Sequence, residues 1–245
     1  MDDSVKTFLD KIQELKEKKI KVDSISIGKP IDCSPLSFKQ QKDLISTVAD
    51  GAVGALKFQK HINGIINDNT ENNDLKISDK LPIILKLRSD AIGDTLKIGD
   101  GTISLKTILD KVKKLKYTQS KSITTDQFTI ELELPSLRYE SQVIQATIDA
   151  VKKEGDGELG KNIGNIYTYE IVKYIKKITF TEGSIEFSEI PVKDRVKIVD
   201  NLPISVNSKI IDFIQKNKMA ETNWMTLDIN GESKTIEIDV SFFDT

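Results

Sequence analysis

One histidine and one cysteine, His61 and Cys33, bound the nucleophilic and metal-ligating chemistry open to this chain. Any Ser-His-Asp or Cys-His device must use His61. It lies in Lys57-Phe58-Gln59-Lys60-His61-Ile62-Asn63, on what reads as a polar helix face, and no G-x-S-x-G elbow accompanies it. Cys33 reads as a turn residue in Cys33-Ser34-Pro35-Leu36, with no helix N-terminus or cation set to lower its pKa. Together the two residues fall short of a Cys₄, Cys₃His or Cys₂His₂ zinc site. A lone cysteine also forbids an internal disulfide.

Two loop patterns invite chemistry and fail on context. Gly155-Asp156-Gly157-Glu158-Leu159-Gly160 matches G-x-G-x-x-G. A dinucleotide loop must follow a strand and open a helix, so that backbone amides meet the pyrophosphate. Here Ala150-Val151-Lys152-Lys153-Glu154 ends a helix, and the two acids inside the loop repel phosphate. A helix-ending glycine loop is the better reading. The stretch from Asp68 to Asp79 is dense in oxygen ligands, but Asn73 stands where a calcium loop needs glycine and Asp79 where it needs glutamate. It reads as a solvated loop. Among 38 acids no carboxylate pair stands out, so no catalytic, metal-binding or cofactor-binding residue is assigned. The runs Lys111–Lys116 and Lys173–Lys177 read as solvated helix faces beside core stripes, not a nucleic-acid patch.

The 245 residues carry 36 Lys+Arg against 38 Asp+Glu, a formal net charge of −2, which argues against a large phosphate-binding surface. Only Arg88, Arg138 and Arg195 are arginines, so bidentate carboxylate or phosphate clamps are scarce. The acidic start Met1-Asp2-Asp3-Ser4 is unlike a signal peptide, and no apolar run approaches a membrane span. The expected compartment is a reducing cytosol.

The elements follow from periodicity. Val5, Phe8, Leu9, Ile12 and Leu15 form one helical stripe, read either as a face packed on the protein or as a partner-binding arm. Residues 20–31 look extended, with a phase shift between Ile20/Val22 and Ile25/Ile27 that predicts a bulge or break. Ser37-Phe38-Lys39-Gln40 fits a capping box, and the helix it opens runs towards Ile65 with a break near Asp50-Gly51. Ser78–Arg88 reads as a helix with Pro82 in its first turn. Leu96/Ile98 and Ile103/Leu105 flank Gly99-Asp100-Gly101, a hairpin signal, and a helix follows through Leu115.

Further on, Lys116–Asp126 reads as a polar linker and Phe128–Leu134 as a half-buried strand ended by Pro135. A helix stripe from Val143 to Val151 gives way to a break over Gly155–Gly164, and Tyr169–Lys176 resumes helix. A hairpin around Thr181-Glu182-Gly183-Ser184, helices over 190–201 and 204–216, and a hairpin turning at Asn230-Gly231 complete the chain. Hairpins mixed with helices predict an α+β fold without a doubly wound parallel sheet. The expected division is a helix over 1–19, an α+β part over 20–118 and a second α+β part over 119–245.

Two stretches say more. Pro35-Leu36-Ser37-Phe38-Lys39-Gln40-Gln41-Lys42-Asp43-Leu44-Ile45 is followed about forty residues on by Leu85-Lys86-Leu87-Arg88-Ser89-Asp90-Ala91-Ile92-Gly93-Asp94. The other runs from Ile185 through Ile190-Pro191-Val192-Lys193-Asp194-Arg195 to Leu202-Pro203. Together they resemble the baseplate hub assembly protein family of T-even-like contractile-tailed phages, over residues 28–100 and 178–216. Some members carry a Cys-rich insertion after the Gly segment, which this chain lacks, so a metal role does not carry over.

The resemblance implies a non-enzymatic, chaperone-like protein that helps build the baseplate hub by binding hub or tape-measure proteins. Charge and hydropathy predict no nucleic acid and no membrane span, no cofactor is expected, and homo-oligomerisation is left open. The resemblance places the protein in the infected host cytoplasm or in the virion baseplate. The Lys-, Ile- and Asn-rich composition suits an AT-rich phage. The contact residues expected are Val5, Phe8, Leu9, Ile12 and Leu15. Two alternatives stand beside this reading: a permanent structural baseplate subunit, and a carboxylate-based hydrolase or transferase.

Overall fold

A computed structural model describes residues 3–47, 53–72, 74–98, 101–154, 159–218, 224–229, 232–238 and 240–243. Helix α1 (Asp3–Glu17) leads into an antiparallel hairpin of β1 (Ile20–Asp23) and β2 (Pro30–Cys33). Alternation buries Ile20, Val22, Ile31 and Cys33 on one face. The phase shift at Ile25 is a break, the hairpin loop, as one of the two predicted alternatives had it. Gly28 turns that loop at φ +72°, where a side chain is disfavoured. Cys33 is the last residue of β2 and is fully buried, so it is not the turn residue expected.

Helix α2 (Phe38–Ser46) carries the capping box the sequence predicts. Gln40 N–H donates to Ser37 Oγ at 3.2 Å, and Ser37 N–H donates to Gln40 Oε1 at 2.9 Å. Helix α3 (Gly54–Asn69) buries Phe58, Ile62, Ile65 and Ile66. The break expected at Asp50-Gly51 lies outside the described residues. Helix α4 (Lys80–Ala91) follows a 3₁₀ turn, Ile77–Asp79. Every residue of α4 from Lys80 to Leu85, and also Leu87 and Arg88, is buried. Burial on all sides marks a central helix.

Strands β3 (Thr95–Ile98) and β4 (Gly101–Ser104) pair antiparallel ahead of α5 (Leu105–Val112), as predicted. A four-stranded antiparallel sheet then runs in the order β5 (Ser120–Thr124), β6 (Phe128–Glu133), β7 (Ile175–Phe180), β8 (Gly183–Glu186). Helices α6 (Leu137–Glu154) and α7 (Leu159–Val172) form the excursion between β6 and β7. Three expectations fail here. Lys116–Asp126 contains strand β5, hidden because an edge strand of this sheet buries only Ile123. Of the break expected over 155–164, residues 155–158 lie outside the described residues, and the rest already lies in α7, where the helix tolerates Gly160 and Gly164 at a modest cost. That helix stops at Val172, since Ile175 begins buried strand β7.

Helices α8 (Val192–Asp200) and α9 (Ile204–Lys216) agree with the sequence reading. So does the final hairpin of β9 (Trp224–Ile229) and β10 (Glu232–Glu237), although its Asn230-Gly231 turn lies outside the described residues. The chain then makes a 3₁₀ turn, Val240–Phe243. The α+β class, built from small antiparallel sheets, is the one predicted. One core cluster joins β1 to α4, the four-stranded sheet, α9 and Phe242/Phe243. A smaller one packs Val53 on Ile144 and Ile148.

Candidate interaction surface

Buried charges organise the interior. Glu140 of α6 is 1% exposed, takes an ion pair from Lys80 at 2.7 Å and accepts from Asn63 Nδ2 at 2.7 Å. Lys173 lies 3.7 Å from Glu140 and 2.8 Å from Glu170. Asp79 accepts from Ser24 Oγ at 2.8 Å, Ser26 N–H at 3.0 Å and Lys76 N–H at 2.9 Å, and also from Ser26 Oγ. The Asp68–Asp79 stretch therefore ends in a structural carboxylate. No group of three or more His, Cys, Asp or Glu that could hold a metal occurs among the described residues.

The two buried arginines tie loops down. Arg88 donates through Nε to Phe242 O at 3.0 Å and through Nη1 to Gly93 O at 2.6 Å, with its guanidinium over the Phe242 ring. Burial holds its pKa below the usual arginine value, against the nearby Asp94 charge. Arg195 donates to Ile190 O at 2.7 Å and Ser188 O at 3.2 Å, and lies over Tyr139.

Two clefts carry titratable side chains. A cleft of about 340 Å³ is bounded by β1, α4 and α5 and lined by Lys21, Lys86, Lys106, Lys113, Asp23 and Asp94, among others. Lys113 pairs with Asp23 at 2.8 Å, and this bond raises the lysine pKa. Hydrogen bonds from Ser104, then Ser89 and the Lys106 amide, pull the Asp94 carboxyl below its usual range. A general acid at neutral pH needs the opposite shift. In the smaller cleft, about 160 Å³, Glu133 sits between Lys76 at 3.5 Å and Lys176 at 3.6 Å.

The nucleophile candidates fare no better. Burial, with Asp32 adding, pushes the Cys33 thiol up to about 11, so it stays protonated at neutral pH. His61 is exposed on α3, as read from the sequence. Of the G-x-G-x-x-G stretch, residues 155–158 lie outside the described residues, and Leu159 and Gly160 lie in the first turn of α7.

What the surface does offer is apolar. On α1, Val5, Phe8 and Leu9 are exposed, Phe8 by 64%, and Ile12 is partly exposed. These residues share one face at helical spacing. Leu15 falls on the same stripe by spacing, and its side chain lies outside the described residues. The sequence reading missed a second apolar feature. Phe38, 80% exposed, and Ile45 stand seven residues apart on the outer face of α2, opposite buried Leu44. Their spacing is the available signal, but the helical pattern alone does not say which face is left exposed. Ile204 at the start of α9 is 84% exposed. No described helix is long and apolar enough to cross a membrane.

Among the described residues, buried charge pins the fold, and the helix faces of α1 and α2 expose apolar side chains. The family model for the T4 bacteriophage base plate protein matches residues 17–243, and the chain belongs to that family. The matched region begins at the last residue of α1. No curated protein and no solved structure matches the chain.

Proposed function

We propose that this base plate family member helps assemble the baseplate hub by binding hub or tape-measure proteins, and that it does so without a catalytic step. The observation that carries the reading is the exposed face of Val5, Phe8 and Leu9 on a helix ahead of the family-matched region. With Ile12 and Leu15 it forms the proposed contact. An apolar helix face left in water is a standing cost, which a partner groove or helix removes. Assembly in the host cytoplasm follows from this role.

The hydrolase or transferase alternative needs two acids held in unlike environments. In the larger cleft Asp23 is ion-paired and Asp94 is pushed down, which supports the non-enzymatic reading. Quantitative mass spectrometry of purified virions tests the helper role. Absence of this chain from virions containing the full set of tail proteins is the expected result. Peptides at a fixed whole-number ratio to other baseplate subunits would instead make it a permanent structural part.

A further inference from the structure

We propose that α1 is one strand of a two-helix coiled coil whose other strand is an amphipathic helix of a different protein, apolar along its seam and acidic beside it. This rests on the reading of α1 as the partner contact. It deepens that reading by naming the partner's chemistry.

The argument starts from register. Val5, Phe8, Ile12 and Leu15 fall at positions a, d, a and d of two consecutive heptads, and Leu9 at e widens the seam. Phe8 and Leu9 stand exposed, so the seam is uncovered where it is described. The charges of α1 segregate around it. Lys11 takes position g and Lys16 position e, and Lys18, just past the helix, continues the g row. By register Asp3, Asp10 and Glu17 take f, Glu14 takes c, and Lys6 takes b as the one lysine away from the seam. The flanking charges of the seam are thus lysines, and the positions behind it hold four acids against the single Lys6.

That rim selects the partner. In a parallel pair g faces e of the neighbouring strand, so a second copy would set Lys11 against Lys16. In an antiparallel pair g faces g, which again brings lysines together. Like charges flanking the seam disfavour self-pairing, whereas glutamates or aspartates at the partner's e and g positions favour binding on both sides. An anionic lipid surface fits less well. Helices that lie on such membranes carry basic polar faces, whereas the positions away from the seam of α1 hold Asp3, Asp10, Glu14 and Glu17 against Lys6 alone. At about 1.5 Å per residue the helix offers a seam of roughly 22 Å. Two heptads are marginal alone, so the partner strand must supply helical order.

The test uses the full chain and two labelled synthetic peptides of four heptads, leucine at a and d, identical except for glutamate or lysine at e and g. Binding is read by fluorescence anisotropy at low and high salt, beside vesicles of mixed phosphatidylserine and phosphatidylcholine. The expected result is roughly tenfold tighter binding of the glutamate peptide, with the gap closing as salt screens the rim charges. The paired change Lys11→Glu with Lys16→Glu should reverse the preference. Equal binding of both peptides, binding of neither, or tighter binding to vesicles would each overturn the proposal. Deleting residues 3–17 separates this from the broader reading. If the deletion abolishes capture of base plate proteins from infected cells while the peptides are not discriminated, α1 is the contact but the acidic helix is wrong. If capture survives the deletion, both readings fall.

Discussion

Replacing Glu140 with glutamine removes one buried charge while keeping side-chain volume. In the native fold Glu140 is 1% exposed, and Lys80 and Lys173 are each 6% exposed. Lys173 keeps Glu170 at 2.8 Å after the change, whereas Lys80 loses its 2.7 Å partner. At an effective dielectric of about 20, that contact has a gross attraction of about 6 kcal/mol. Desolvation already offsets part of this in the wild type, and breaking one side of a buried pair typically costs about 3–5 kcal/mol. For a chain of this size such a loss lowers Tm by roughly 6–20 °C. Urea unfolding followed by far-UV circular dichroism measures it, with the denaturant slope checked for constancy. Adding Lys80→Met removes the stranded ammonium, so the double variant should recover about 2 kcal/mol or more relative to additivity. A Glu140→Gln variant within about 1 kcal/mol of wild type, or a double variant equal to the sum of the singles, would refute the buried-pair account.

Two further outcomes follow from other buried groups. Arg88→Lys keeps the charge but cannot span both Phe242 O and Gly93 O, so it should cost about 2–3 kcal/mol. Amide exchange over 240–243 should quicken; unchanged exchange there would mean that Arg88 does not anchor the C-terminal turn. Cys33 is raised from 9.0 to about 11 in the fold, so above pH 9 the unfolded chain releases its proton first. Its contribution is present in full below pH 9 and is lost as pH climbs through about 11, a fall of about 2–3 kcal/mol. Cys33→Ala should flatten that part of the stability profile, and equal slopes for variant and wild type would contradict the assignment.

The local signals were legible in the sequence where short-range physics sets the structure. The Ser37/Gln40 box, the Gly99–Gly101 and Asn230-Gly231 hairpins and the α8–α9 boundary at Pro203 are each encoded within a few residues. Strand β5 was not legible, because pairing with β6, not its own alternation, makes it a strand. Nor was the buried network, whose members Asn63, Lys80, Glu140 and Lys173 are scattered along the chain and meet only in the fold. The stretches carrying the family resemblance contain Arg88 and Arg195, and both hold loop carbonyls. The resemblance thus rests on fold-holding residues, which is why it named a family more readily than a site. The α1 stripe was visible from spacing alone, but its exposure was not, since the same pattern serves a packed helix equally well.

The central claim is that this chain acts by binding base plate proteins through α1. Its most direct test is affinity capture from infected cells, comparing the tagged full chain with a variant lacking residues 3–17 and identifying the captured proteins by mass spectrometry. The account predicts hub or tape-measure proteins with the full chain and their loss with the variant, while both proteins unfold at similar temperatures. Capture of no base plate protein by the full chain, or equal capture by both, would contradict it.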